Sequence, residues 1–178
     1  EIGKLIWMVD SDYRTAAQGW SKSDGTGPLD LLYERDRGYI YRTGDYSSDY
    51  LAVQAAIDYM VDFRGDTLAF TPGNYSISTA LAINVPDARW VGPPVSHPVN
   101  ARATLTAAVA AAFAPTAAAD RMEIAYLQHV PLTAATMWDF GAVSGLHMHD
   151  NFYNADGITA NTATIFVVLA TASEFSQF

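Results

Sequence analysis

Over residues 67–106 the chain breaks into strand-like runs of only three to five residues, separated by tight turns, with no helical pattern between them. Few architectures can use strands that short. In Thr67-Leu68-Ala69-Phe70-Thr71, Leu68 and Phe70 share one face, Pro72-Gly73-Asn74 turns the chain, and Tyr75-Ser76-Ile77-Ser78 alternates again. Leu81-Ala82-Ile83, Arg89-Trp90-Val91 (ending at Gly92-Pro93-Pro94) and Ala103-Thr104-Leu105-Thr106 continue the series. Such runs suit a coil of short strands better than a doubly wound sheet, which needs a helix after each strand.

Internal similarity points the same way. Leu105 to Phe113, Leu132 to Phe140 and Ile158 to Phe166 are alike, start 27 and 26 residues apart, and each ends in Phe; Leu81 precedes the first by 24. A period in the middle twenties is one turn of a β-solenoid, whose inward side chains stack on those of the next turn. Chance in an Ala/Thr-rich chain is the alternative, and Ala107–Ala119 also reads as a helix broken at Pro115.

The clearest helix precedes this region, over residues 48–61. Ser47 or Ser48 caps it, Asp49 sits in the first turn, and Val53, Ala56, Ile57, Met60 and Val61 make one apolar face. Gly65 lies just past its end. Residues 1–46 form a leader: a strand-like run at Ile6–Val9, a cluster of turn formers over 21–28, and apolar islands at 29–33 and 39–41. The expectation is an irregular arm of the kind that packs on a neighbouring subunit.

The segment Ala52-Val53-Gln54-Ala55-Ala56-Ile57-Asp58, followed by Gly65-Asp66-Thr67 and Pro72-Gly73-Asn74-Tyr75-Ser76-Ile77, resembles the opening module of the pectin-lyase-like right-handed β-helix superfamily. The match spans residues 48–78, roughly a sixth of the chain. It implies an all-β fold: a short right-handed parallel β-helix over 47–178, an α-helix as lid on its open end, and the arm before it. For function it implies little, because lyases, glycoside hydrolases, phage tailspikes and non-catalytic virion proteins share the module. A lid is physically required, since an uncovered solenoid end recruits other chains.

Composition narrows the chemistry. Ten Lys and Arg face nineteen Asp and Glu, a net charge of −9, so a basic nucleic-acid-binding face is not expected. Without Cys, thiol catalysis, disulfides and cysteine-ligated zinc are excluded. The apolar run over 164–170 is far below the roughly 20 residues of a membrane helix, so no membrane is expected. There is no phosphate loop, nucleophile elbow or dinucleotide fingerprint, and no cofactor is expected.

Leu146-His147-Met148-His149-Asp150 is the strongest chemical candidate, because strand alternation puts both imidazoles on one face. Such a pair binds a divalent metal when a carboxylate joins it, and Asp139, Asp150 or Asp156 could do so, although no third ligand is identifiable. The same three aspartates are the candidates for glycoside hydrolysis, which needs two carboxylates flanking a groove. Trp90, Trp138, Phe152 and Tyr153 are candidates for stacking on a sugar. Beyond residue 100 the only basic side chains besides His are Arg102 and Arg121, neither in a lyase-like motif, which argues against lyase activity.

About 110 residues remain after leader and lid, enough for four to five turns at the repeat spacing. Catalytic β-helices run longer, since their groove spans several turns. The expectation is therefore a non-catalytic structural protein of a bacteriophage particle, a capsid decoration or cement protein or a spike. It would be trimeric, in contact with capsid or tail proteins at the virion surface, with a surface glycan as a possible ligand. The alternatives are a polysaccharide-degrading enzyme or tailspike, and a secreted, extracellular sugar-binding module.

Overall fold

The computed structural model describes residues 3–10, 39–60, 65–93, 102–132, 136–140, 143–154 and 167–169. In chain order these form β1 (Leu5–Val9), β2 (Tyr39–Arg42), a 3-10 turn (Thr43–Asp45), helix α1 (Asp49–Asp58), β3 (Thr67–Phe70), β4 (Gly73–Ile77), β5 (Leu81–Ile83), β6 (Arg89–Val91), β7 (Ala103–Ala107), β8 (Phe113–Pro115), β9 (Glu123–Ala125), β10 (Leu127–Pro131), β11 (Trp138–Phe140), β12 (His147–His149), β13 (Phe152–Tyr153) and β14 (Val167–Leu169). The described protein is thus mostly β with one α-helix, as the short alternating runs lead one to expect.

From β3 onward the strands visit three parallel sheets in rotation. The first sheet runs β12-β9-β6-β3-β1-β2, the second β13-β10-β7-β4 and the third β14-β11-β8-β5. Four circuits therefore lay one strand each in every sheet. In the first sheet Leu68, Trp90, Ile124 and Met148 pair in register and are all buried. In the second, Tyr75, Leu105, His129 and Tyr153 form the corresponding column, and in the third, Leu81, Phe113 and Trp138. These columns meet in one core, with Phe113 and Trp138 stacked at 4.3 Å between ring centroids.

The corners explain how short strands close. Two residues before each first-sheet strand of the four circuits stand Gly65, Asp87, Arg121 and Gly145, with φ of 66, 56, 58 and 68°. Each left-handed residue turns the chain so that the next one, Asp66, Ala88, Met122 or Leu146, is buried. Backbone bonds stack the corners, from Asp87 N to Asp120 O (2.9 Å) and from Arg121 N to Ser144 O (2.8 Å).

The repeat has a different register from the one its Phe residues imply. Leu105 pairs with His129 rather than Leu132, and Phe113 with Trp138 rather than Phe140. Leu132 is 50% exposed. Corner loops of unequal length break a fixed period, so counting from Phe to Phe slips by two or three residues. The copy at 158–166 lies outside the described residues. The alternative of a helix over 107–119 fails: Ala111 is left-handed (φ 48°) and Phe113–Pro115 is a strand. Pro115 fits there because Thr116 N, not Pro115, bonds Ile83 O at 2.9 Å.

The lid combines helix and strands. Ser48 caps α1, its Oγ accepting from Leu51 N, and Ala52, Val53, Ala56, Ile57 and Met60 are buried against the first circuit, the face expected from spacing. Val61 lies outside the described residues. Asp49 Oδ2 accepts from Ser76 N at 2.8 Å, while the Gln54 amide accepts from Ala82 N (2.8 Å) and donates to Ala82 O (3.1 Å). Side chains thus occupy backbone groups that β4 and β5 would otherwise present as an open edge. On the first sheet, β1 and β2 do this job with backbone.

The leader is accordingly not irregular where it is described: β1 pairs in parallel with both β3 and β2. Asp66 Oδ1 accepts from Lys4 N at 2.7 Å, and Asp10 Oδ2 from Asn74 N at 2.9 Å. Among the described residues no helix is long and apolar enough to cross a membrane.

The corners and close approaches give an ordered pair of expectations. A Cβ at Gly92 would collide with the backbone oxygen of Tyr126, whereas one at Gly65 meets nothing nearer than Asp87 O at 4.0 Å. Gly92→Ala should cost about 3 kcal/mol in urea unfolding, and Gly65→Ala about 1 kcal/mol from left-handed strain alone. Equal costs would contradict this packing.

Candidate functional site

Alternation on β12 puts Met148 in the core and leaves His147 exposed and His149 half-buried on the outer face of the first sheet, their rings 4.6 Å apart. Register adds neighbours to that face, because Arg89, Glu123 and His147 occupy equivalent positions of successive circuits. Arg89 grips Glu123 with both ends of its fork, Nε to Oε2 at 2.8 Å and Nη2 to Oε1 at 3.0 Å. His149 lies between two carboxylates, Nδ1 2.9 Å from Asp150 Oδ2 and Nε2 3.3 Å from Glu123 Oε1. The Tyr126 ring meets His149 edge-on at 5.6 Å.

The charges fit the geometry. The Arg89 hydrogen bonds, and after them that of His149, hold the Glu123 carboxyl below its usual range. The Asp150 hydrogen bond first, and Glu123 second, raise the His149 imidazole above its usual range. His149 therefore carries its proton further toward neutral pH than a free histidine, while Glu123 stays ionised and makes a poor proton acceptor. The arrangement holds a proton between two anions.

The other candidates lie elsewhere. Asp139 stands on β11 in the third sheet, between buried Trp138 and Phe140, so it belongs to the outward phase of a different sheet from β12. Asp150, by contrast, follows β12 of the first sheet at a left-handed position (φ 52°). Asp156 lies outside them. Among the described residues no group of three or more His, Asp and Glu side chains is arranged to hold a metal ion.

The sugar-stacking expectation for Trp90 and Trp138 is corrected by their position: both are 0% exposed, on the inward phase of their strands. Phe152 and Tyr153 do reach the surface, with the Arg102 guanidinium 3.2 Å over the Phe152 ring.

Sequence reasoning missed Arg89 and Glu123, which build the outer face, and the pairing of buried His129 with half-buried Asn151. The signal for the first two was present. Each stands two residues after a corner residue, Asp87 or Arg121, and those corners are themselves tied by a two-pronged ion pair (2.6 and 2.8 Å). Register found from corners rather than from Phe would have aligned them.

Because Asp150 dominates the shift, Asp150→Asn should bring the His149 imidazole titration down further than Glu123→Gln does, read by histidine NMR. For His149 the folded-state value lies above the unfolded one, so its stabilisation is present below the ordinary histidine range and fades as pH rises through the folded value.

Comparison of the chain with protein-family models, with curated proteins and with solved structures found no match in any of the three, so the likeness of residues 48–78 to the pectin-lyase-like superfamily rests on the residues quoted for it.

Proposed function

We propose that the chain winds as a short right-handed parallel β-helix and serves as a non-catalytic structural protein of a virus particle, a capsid decoration or cement protein or a spike. Right-handedness follows from the general rule for parallel crossovers. In this reading the molecule is a homo-oligomer, a trimer, seated at the virion surface against a capsid or tail protein.

One observation carries the proposal: the polar side chains that might have served chemistry bind one circuit to the next. Asp87 joins Arg121, Arg89 joins Glu123, and Asn151 bonds Leu127 N and Ile124 O. A chain that uses its polar groups this way, with 16% charged residues and half its residues apolar, is built to hold shape and pack against neighbours.

A second reading, a glycoside hydrolase, lyase or tailspike acting on a surface glycan, draws support from the carboxylate–imidazole–carboxylate cluster of Asp150, His149 and Glu123. Its net charge of −9 makes an anionic polymer the less favoured substrate.

Light scattering on the purified chain should give three times the monomer mass, and a monodisperse monomer would sink the first reading. On a panel of bacterial surface polysaccharides, no reducing ends or unsaturated uronides should appear. Release that disappears in Asp150→Asn but persists in Asp139→Asn would instead establish the second.

A further inference from the structure

His129 is an ionisable ring inside the core. It lies on the inward phase of β10 with no exposed surface, between Leu105 of β7 and Tyr153 of β13, and the Tyr153 ring stacks on it at 5.0 Å. Both ring nitrogens are engaged. Trp138 Nε1 donates to Nδ1 at 3.1 Å, and Nε2 faces Asn151 Oδ1 at 3.3 Å.

The proton can be located from these partners. An indole N–H only donates, so Nδ1 must present its lone pair and the proton sits on Nε2. Asn151 is fixed independently, its Oδ1 accepting from Leu127 N (3.1 Å) and its Nδ2 donating to Ile124 O (2.8 Å), so it offers oxygen, not nitrogen, to the imidazole. A second proton would arrive at Nδ1, where a donor already points. Trp138 cannot readily turn away, being stacked between Phe113 (4.3 Å) and Phe140 (5.1 Å).

Of the neighbours only Asn151 Oδ1 favours a charged ring, and burial outweighs it. The ionisable groups on the elements packed against the ring are Tyr153, whose phenol burial pushes up, Asp139 on the outward phase of β11, and Asp150, whose carboxylate is on His149. β7 carries none, and β10 none besides His129. Asn151 meanwhile ties the fourth circuit to the third at three points, Ile124, Leu127 and His129.

We propose that His129 is an acid-operated latch: Tyr153 and Asn151 of the fourth circuit cover its ring, so a proton taken up at Nδ1 at the expense of the Trp138 bond is hydrated only as residues 143–154 lift from the circuit before them, while the lid end stays closed. The trigger range follows from burial, which lowers the imidazole to about 4 from 6.5. The opened state binds the proton more readily than the closed one, so opening is favoured as pH falls from about 6.5 to about 4, by up to about 300-fold. His149 works in the opposite sense, since its proton strengthens the outer ties to Glu123 and Asp150.

Amide hydrogen exchange on the whole chain between pH 7.5 and 4, corrected for intrinsic rates, tests this. Protection over 122–131 and 146–153 should fall by up to about 300-fold relative to 51–57 and 67–77. His129→Gln can accept from Trp138 and donate to Asn151 at any pH, and should abolish the difference. Unchanged protection in the wild type, equal loosening of the lid, or the same fall in the variant would overturn the latch. Imidazole NMR of the wild type decides the matter should the variant not fold. The Nε2–H tautomer at neutral pH, and loss of the Trp138 indole resonance as His129 titrates, are expected. An Nδ1–H tautomer, or an ordinary titration with that resonance unmoved, would overturn it.

Discussion

The four circuits depend on the left-handed corner that precedes the first-sheet strand of each. Strands of three to five residues bury too little to be stable alone, and they hold only if each lies on its predecessor in register. The corner residue sets that register by delivering an inward side chain at the same height in every circuit. Gly65 and Gly145 accept the conformation without a Cβ. Asp87 and Arg121 do not, and their ion pair across adjacent corners offsets some of the strain, though an exposed pair contributes modestly.

How the first circuit is closed shows why residues 48–78 are what they are. The Gln of Ala-x-Gln holds both backbone groups of Ala82, the first-turn Asp49 holds Ser76 N, and Asp66 holds Lys4 N. Gln54 and Asp49 replace hydrogen bonds that a further strand would have made, while Asp66 extends the ladder of β1 and β3 by one bond. The apolar helix face excludes water from the core beneath, and the polar residues interleaved with it satisfy the sheet edges. One ten-residue helix does both because the two sets alternate around its circumference.

Much of this was legible in the sequence. The helix face and the strands from 67 to 106 follow from local periodicity, which depends only on near neighbours, although the turn expected over Pro72-Gly73-Asn74 narrows to a bend at Pro72, with Gly73 already opening β4. The register of the repeat does not. Leu132 looks like Leu105 but follows its strand on the surface, while His129, the true partner of Leu105, has no apolar signature at all. The candidate site divides in the same way. His147 and His149 share a face, as alternation requires, but Glu123 reaches them only through pairing between β9 and β12, and Trp90 and Trp138 look alike from sequence whether they face in or out. Long-range register was the missing quantity, and the corners, carried variously by Gly, Asp and Arg, concealed it.

The aromatic column leaves the protein with an optical signature of its own winding. Trp90 and Trp138, from circuits two and three, stand 5.9 Å apart with their planes at 68°. Two transition dipoles so near and so oblique couple as one chromophore, splitting their far-ultraviolet dichroism into a pair of bands of opposite sign. That couplet exists only while successive circuits remain seated on one another, so the core reports its own assembly without any added label.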